Sequence, residues 1–160
     1  MNVELQKRTE DHVHIYFKRT RDPEIQAMIP QTAETLEQAL QAFRKTLLPG
    51  ATSYGRTVYV DGTYVGDVWC YCIDPSEEPN AMLSYCVFEK SLWGKGIATE
   101  ALRQFLLEIV PQFSLKTVGA FGYCSNHASL RVLEKNGFSK KEEFTEDGVK
   151  SAYYQKETSL

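Results

Sequence analysis

The stretch from Trp93 to Ala98, which reads WGKGIA, constrains the fold more than any other part of the chain. A strand-like run, Met82 to Phe88, precedes it, and an apolar pattern with helical spacing follows. That pattern predicts a helix over Thr99 to Val110. The apolar positions are Ile97, Ala101, Phe105 and Ile109, with Leu102 and Leu106 beside them. The sequence therefore predicts a strand, a glycine-bearing turn and a helix in direct succession.

A helix that begins at such a turn is a natural anion site. Its first N–H groups have no intrahelical partners, and the helix dipole favours negative charge there. Glycine lets a phosphate approach the backbone without a Cβ in the way, and Lys95 adds a positive charge. No Walker A motif is present, and Thr99 stands where the dinucleotide motif needs its third glycine. We expect a phosphate or pyrophosphate ligand on Trp93, Gly94, Lys95, Gly96, Ile97, Ala98 and Thr99.

The same turn resembles the acetyl-CoA loop of the GNAT N-acetyltransferases, written Gln/Arg-x-x-Gly-x-Gly/Ala. Gly96 and Ala98 fill its last two positions, and Trp93 replaces the Gln or Arg. The ten residues LWGKGIATEA are most similar to the branch that acetylates the N-termini of ribosomal proteins, of the RimJ and RimL type. The resemblance implies that acetyl-CoA is the cosubstrate.

A second stretch, Asn126 to Phe138, resembles the GNAT segment Asn-x-x-Ser-x-x-x-x-Glu-Lys-x-Gly-Phe. The resemblance implies that Asn126 lies against the pantetheine arm of CoA, although Asn also favours a helix N-cap. Many GNAT enzymes protonate the leaving thiolate with a Tyr seven residues later, where this chain has Leu133. The resemblance points instead to Ser129 as the proton donor. An ordinary capping or surface serine is the alternative for Ser129.

The resemblance also implies that a backbone N–H of the strand before the turn, at Val87 or Phe88, polarises the thioester carbonyl. Tyr85 on that strand is expected either to line the acceptor pocket or to pack in the core. No general base is assigned, because no candidate carboxylate has a sequence spacing that distinguishes it from the others. The candidates are Asp67, Glu142 and Glu143. A chain of water molecules that carries the proton to bulk solvent is the alternative. The histidines have no metal-ligand spacing, so no metal is expected, and His127 is instead a candidate for the acceptor site.

Composition limits the class of protein. The chain has 160 residues, 42% of them hydrophobic and 24% charged, which fits one globular domain over residues 1–160. A net charge of −3 without a basic cluster argues against nucleic acid. No membrane-spanning run or signal peptide is recognised, so a cytoplasmic location and no membrane partner are expected. Free buried thiols are expected for the four cysteines, with Cys70 and Cys72 on one side of a strand.

The remaining elements are read from periodicity and turn residues. Strands are predicted at His12–Arg19, Arg56–Val60, Thr63–Ile73, Lys116–Tyr123, Phe138–Glu146 and Val149–Gln155. Helices are predicted at Pro23–Ile29, from near Thr32 through Leu47, and at Asn126–Asn136; the helix after the glycine turn should end before Pro111. The resemblance implies an α/β GNAT fold, a mixed, mostly antiparallel sheet of about six to seven strands, splayed in the middle and flanked by about four helices.

The predicted function is direct acetyl transfer from acetyl-CoA to a primary amine in a ternary complex. The acceptor is left open between a protein N-terminus and a small amine. A closed pocket for a polyamine or an antibiotic is the first alternative, and a set of bulky side chains from Leu36 to Leu47 folded over the cleft would favour it. A non-catalytic CoA-binding regulatory module is the second alternative. A homodimer is also left open.

Overall fold

A computed structural model describes residues 1–29 and 33–158. The strands in this part of the chain are β1 (Val3–Lys7), β2 (Tyr54–Val60), β3 (Thr63–Asp74), β4 (Asn80–Val87), β5 (Thr117–Tyr123), β6 (Ser139–Glu146) and β7 (Val149–Glu157). The α-helices are α1 (Glu10–Arg19), α2 (Pro23–Gln26), α3 (Leu36–Lys45), α4 (Ile97–Gln112) and α5 (His127–Lys135). A single 3₁₀ turn, Lys90–Leu92, precedes the glycine turn.

The described strands form one seven-stranded sheet in the order β1-β2-β3-β4-β5-β7-β6. Neighbouring strands are antiparallel except β4 and β5, which are parallel and pair only from Asn80–Thr117 to Met82–Gly119. Beyond Met82, β4 continues to Val87 without pairing to β5. The mixed, mostly antiparallel sheet and its central splay are therefore confirmed.

The main core lies between the sheet and α4. Leu102, Phe105 and Ile109 of α4 are fully buried against sheet residues such as Val68 and Val118. Burying each of these large side chains contributes roughly 2 kcal/mol. On the opposite face, Ile25 of α2 packs against Cys86 and Phe88, while α3 packs on α1 through Leu40, Phe43 and Val13. The helices on both faces leave the gap between β4 and β5 as the opening in the sheet.

The strand predicted over His12–Arg19 is wrong, because this segment is helix α1. The helix buries Val13, and its C-cap residue Thr20, seven residues later on the same side, is also buried, whereas Ile15 is 44% exposed. Thr9 and His12 form a capping box at its start, in which the imidazole takes the place of the usual Glu. The first strand is instead β1, whose Val3 pairs with Val60 and whose Leu5 pairs with Val58.

Two further expectations about local structure are corrected. Helix α4 continues through Pro111 to Gln112, since proline in the last turn removes only the hydrogen bond to the carbonyl of Leu107, a residue on the exposed side. Cys70 is buried but Cys72 is exposed, because the pairing of β3 with β4 is irregular there and Cys72 has a φ of 51°. The two thiols therefore do not share one side of the strand.

The region around the second predicted helix is only partly described. Asp22 caps α2 by accepting a hydrogen bond from the Glu24 N–H at 2.8 Å, but this helix ends at Gln26 rather than Ile29. The predicted start of the second helix near Thr32 lies outside the described residues. Helix α3 begins after its cap Thr35 and ends at Lys45, so Leu47 lies beyond it.

Candidate active site

A cleft of about 530 Å³ enters the sheet at the β4–β5 splay. It runs from the first turn of α4 to the first turn of α5. Of the residues expected to bind the ligand, those that line this cleft are Tyr85, Val87, Trp93, Gly94, Gly96, Ile97, Ala98, Thr99, Asn126 and Ser129. The structure therefore brings both sequence motifs to one site.

The phosphate end of the cleft is built on glycine backbone. Gly94 and Gly96 have φ angles of 77° and 81°, a region that residues with a Cβ rarely adopt. Gly96 caps α4 without any side-chain hydrogen bond to the first turn in the described part of the chain. The N–H groups of Ile97, Ala98 and Thr99 therefore remain free to bind an anion.

Two cations that sequence reasoning missed lie beside this turn. Arg131 and Lys135 of α5 line the cleft, four residues apart on one helix face, and His127 precedes them by the same spacing. Neither cation forms an ion pair with any residue in the described ranges. The i, i+4, i+8 spacing was the signal available in the sequence.

Backbone groups of β4 line the middle of the cleft. The Phe88 N–H donates to the Val65 carbonyl at 2.9 Å, so Phe88 pairs with β3. Antiparallel pairing alternates between residues that bond to the partner strand and residues that face away from it. The register therefore directs the N–H groups of Val87 and Tyr85 away from β3, towards the gap.

Trp93 fastens the glycine turn to the end of β4. Its indole N–H donates to the Val87 carbonyl at 2.8 Å, on the side of β4 that faces the gap. The indole also packs against the cluster of Ile25, Cys86 and Phe88. Trp93 thus holds the first turn of α4 and the Val87 backbone in one fixed arrangement.

Ser129 is held at the other end of the cleft. Asn126 caps α5 by accepting a hydrogen bond from the Ser129 N–H at 3.2 Å. The Tyr85 hydroxyl donates to the Ser129 carbonyl at 2.8 Å and lies 2.9 Å from its Oγ. Burial raises the pKa of Tyr85 to about 12, so the phenol stays protonated at neutral pH. Tyr85 therefore contacts Ser129, a contact that the sequence did not indicate.

Two of the predicted ligand residues lie outside the cleft lining. Phe88 is 1% exposed in the core, and its N–H already donates to the Val65 carbonyl of β3. The prediction that the Phe88 N–H faces the ligand is therefore wrong. Lys95 is exposed at the tip of the glycine turn. Its side chain is not part of the cleft wall.

None of the three candidate carboxylates reaches the cleft. Asp67 is 3% exposed and pairs with Arg8 Nε at 2.9 Å, while the Tyr64 hydroxyl donates to it at 2.6 Å. Burial raises the Asp67 pKa, which the Arg8 charge opposes. Among the described residues that line the cleft there is no Asp or Glu, and His127 is the one imidazole.

Among the described residues, no group of three or more His, Cys, Asp or Glu side chains is placed to hold a metal ion.

None of the described helices has the length and the apolar composition that crossing a bilayer requires.

Solved structures share this fold over nearly the whole chain. The aminoglycoside acetyltransferase AAC(6')-Ib, in complex with coenzyme A and kanamycin, superimposes with a TM-score of 0.81 at 16% identity, over 98% of this chain and 95% of that one. RimL, a ribosomal L7/L12 alpha-N-protein acetyltransferase bound to coenzyme A, gives a TM-score of 0.82 at 16% identity, over 98% and 94%. Spermidine N-acetyltransferase from Vibrio cholerae, with CoA and spermine, gives 0.84 at 12% identity, over 96% and 94%.

These similarities are at low sequence identity and show the fold. No functionally curated protein matches the chain. The family itself is shown by the sequence, because the model of the GNAT acetyltransferase domain matches residues 2–139. The match includes the glycine turn, the splayed strand and the Asn126–Ser129 segment. The chain belongs to the GNAT acetyltransferase family.

Proposed function

We propose that the protein transfers an acetyl group from acetyl-CoA directly to a primary amine, with both substrates bound together. The observation that carries this proposal is the single cleft that joins the free N–H groups at the start of α4 to Ser129 at the start of α5. An extended cosubstrate with a diphosphate at one end and a thioester at the other fits such a path.

The diphosphate binds at the first turn of α4. Two glycines with positive φ let it approach the backbone, and the charges of Arg131 and Lys135 complement it. The pantetheine arm follows the unpaired edge of β4, where the backbone groups of Tyr85 and Val87 face the gap, and ends beside Asn126 and Ser129. No part of this arrangement calls for a metal.

In the reaction, the lone pair of the acceptor nitrogen attacks the thioester carbon. Negative charge develops on the carbonyl oxygen, and we assign its stabilisation to the Val87 N–H. The C–S bond then breaks, and the thiolate takes a proton from the Ser129 hydroxyl. The acceptor nitrogen loses one proton during the reaction, and solvent restores the serine.

We assign the removal of that proton to His127. Burial raises the pKa of the Tyr85 phenol and of the Cys86 thiol to about 12, so neither group is ionised and ready to accept a proton at neutral pH. His127 is exposed to solvent on the cleft wall, two residues before Ser129 in the same helix. An imidazole is the side chain best suited to exchange a proton with bulk water near pH 7.

For the acceptor, an open groove is favoured over a closed pocket. Helix α3 packs on α1, and none of the residues 36–47 lines the cleft. The described wall on the α2 side is formed only by Met28 and Ile29. Within the described residues the acceptor side is therefore an open groove, which favours a polypeptide N-terminus over an enclosed polyamine or antibiotic. A CoA-binding regulatory module remains the second candidate, because Leu133 replaces the usual tyrosine.

The unpaired state of the four cysteines supports a reducing, cytoplasmic location, which we propose for the enzyme. Fractionation of cells that produce the protein tests this location.

The decisive experiment measures free thiol released from acetyl-CoA across a panel of amines. The panel holds spermidine, an aminoglycoside, free amino acids and short peptides, and thermal shift monitors CoA binding in parallel. Release with one acceptor class supports the enzyme and identifies that class. A thermal shift with CoA but no release with any amine would favour the regulatory module. Absence of both would reject the proposed function.

A further inference from the structure

Three aromatic side chains lie together on the sheet face opposite α4 and α5. They are Phe121 of β5, Phe144 of β6 and Tyr153 of β7, which we call the aromatic patch. The Phe121 ring centre lies 5.3 Å from that of Tyr153 and 5.8 Å from that of Phe144. Phe121 is 53% exposed, an unusual exposure for a phenylalanine. A Cβ on Gly119 would lie only 2.6 Å from the Tyr153 hydroxyl, so glycine at this position makes room for the ring.

The aromatic patch is continuous with the proposed reaction site. Phe121 itself lines the cleft, together with Tyr123 and Ser151. Tyr123 and Ser151 are direct partners across β5 and β7, and Phe121 and Tyr153 are the next pair on the same face. Helices α4 and α5 cover the other face of these strands. An acceptor whose amine enters the gap from the uncovered face therefore contacts the aromatic patch.

The same face carries negative charge. Glu142 lies opposite Tyr153, and Glu146 lies opposite Val149, which is 44% exposed. Neither carboxylate has an ion-pair partner among the described residues. Glu143 points to the other face, where Lys140 and Lys150 pair with it at 2.8 and 3.2 Å.

We propose that this face selects the acceptor as a polypeptide N-terminus whose next residues are apolar and basic. An extended chain rises about 3.4 Å per residue, so the second to fourth residues of the acceptor reach across the aromatic patch. An apolar side chain lies on Phe121, and Lys or Arg side chains pair with Glu142 and Glu146 or lie over an exposed ring. This inference rests on the proposed acetyl transfer and specifies its acceptor.

A second copy of the chain fits this face less well. The commonest dimer contact is two-fold symmetric and places the same surface on both sides. Such a contact would bring Glu142 and Glu146 of the two copies together, and like charges across an interface are costly. A cationic partner neutralises the same carboxylates, and it is the partner that the charge pattern favours.

The test compares peptides that share one N-terminal residue and differ only at positions two to four. One peptide carries Phe-Lys-Arg there, one Phe-Glu-Glu and one Gly-Gly-Gly. The wild-type protein should prefer the first over the second by about tenfold or more in kcat/KM, and this preference should shrink as salt is added. Spermidine serves as an acceptor that lacks the peptide.

Variants identify the surface that is responsible. Phe121→Ala should lower kcat/KM for the Phe-Lys-Arg peptide by about five- to tenfold, while the KM for acetyl-CoA stays the same. The double variant Glu142→Gln/Glu146→Gln should reduce the preference for the basic peptide by about two- to fivefold per charge. Leu107→Ala, an exposed apolar change on α4, and Glu77→Gln, an exposed acidic change in a loop, are the matched controls.

The results distinguish the two proposals. Equal rates for all three peptides, or an unchanged preference in the double variant, would overturn the inference and leave acetyl transfer standing. Transfer to spermidine but to no peptide would do the same. Sedimentation of the wild type and of Phe121→Ala provides a further check. If the wild type is a dimer, the variant is a monomer and the KM for the peptide is unchanged, the aromatic patch binds a second copy of the chain and the inference is overturned. Loss of CoA binding and of all transfer in the wild type would instead reject the proposed function.

Discussion

The Tyr85 hydroxyl lies within hydrogen-bond distance of Ser129 at two atoms, 2.8 Å from its carbonyl oxygen and 2.9 Å from its Oγ. These contacts join β4 to the first turn of α5 across the cleft. The phenol has one proton, so when it donates to the carbonyl, the serine hydroxyl donates to the phenol. Tyr85 therefore holds the Ser129 hydroxyl in position before the hydroxyl protonates the leaving thiolate.

Replacing the proposed proton donor should slow the chemical step. We expect Ser129→Ala to lower kcat by about 100-fold, the lower range for loss of a general acid, with little change in acetyl-CoA affinity. Tyr85→Phe keeps the ring in place and should lower kcat about tenfold, because Ser129 loses its anchor. Steady-state kinetics of both variants and of their combination measure this.

The double variant is the control for that prediction. Residues that act as one unit are not additive, so Ser129→Ala/Tyr85→Phe should be no slower than Ser129→Ala alone. If the losses in kcat of the two single variants add in the double variant, Tyr85 and Ser129 act independently. Wild-type turnover in Ser129→Ala would remove the serine from the mechanism.

The glycine turn should matter for CoA binding beyond its effect on stability. Gly96 and Gly148 have φ angles of 81° and 78°, and a Cβ on either would meet no atom within 4 Å. Alanine at either position should therefore cost a similar roughly 1 kcal/mol of backbone strain. Only Gly96→Ala should also weaken CoA binding, by crowding the diphosphate. Chemical denaturation and CoA titration of both variants test this, and equal CoA affinity would discard the phosphate site.

Trp93 should act through the position of the Val87 backbone. Trp93→Phe keeps an aromatic ring against Ile25 and Phe88 but removes the indole N–H that donates to the Val87 carbonyl. We expect a stability loss of about 1 kcal/mol and a fall in kcat that exceeds the change in acetyl-CoA KM. A change in stability alone would assign Trp93 to packing only. Trp69→Phe, in the same cluster but outside the cleft lining, is the control.

If His127 accepts the amine proton, its removal should slow turnover. His127→Gln should lower kcat/KM by about 100-fold, the lower range for loss of a general base, and added imidazole should restore part of the activity. His14→Gln, a change at an exposed histidine of α1, is the matched control and should leave kcat/KM unchanged. A wild-type kcat/KM in His127→Gln would assign deprotonation of the amine to solvent.

His12 should make the stability of the fold depend on pH. Its Nδ1 accepts from the Thr9 N–H at 3.0 Å, and its Nε2 lies 2.7 Å from the Tyr59 hydroxyl. Burial, and then the Arg8 charge, lower the His12 pKa from 6.5, so the unfolded chain binds the proton more readily. This contribution is complete above pH 6.5 and is lost as pH falls towards the lowered folded pKa.

The corresponding measurement is the free energy of unfolding between pH 7.5 and 5. The difference between wild type and His12→Gln should shrink as the pH falls, while His14→Gln should track wild type. A constant difference over this range would contradict the linkage.

Much of the fold was determined by local signals in the sequence. Asp61-Gly62 and Asp147-Gly148 are strong local signals for hairpin turns, because these residues accept the positive φ that such turns need. Asn126 capped α5 as its residue type predicted, and the spacing of apolar residues placed α4. The spacing of apolar residues was misleading at His12–Arg19, where the alternation of apolar and polar residues favoured a strand. The helix there is stabilised by packing on α3 and by a cap built from His12.

In the candidate site, too, some features follow from local sequence signals and others depend on tertiary packing. The sequence by itself identified the glycine turn and the Asn126–Ser129 segment, since each forms from residues close together in the chain. Only the tertiary structure decided that Tyr85 meets Ser129, that the Phe88 N–H is already paired, and that Phe121 opens the cleft onto an acidic face. The splay of β4 from β5 and the pairing of β5, β7 and β6 set these contacts. They depend on residues far apart in the chain, whose distances no local pattern encodes.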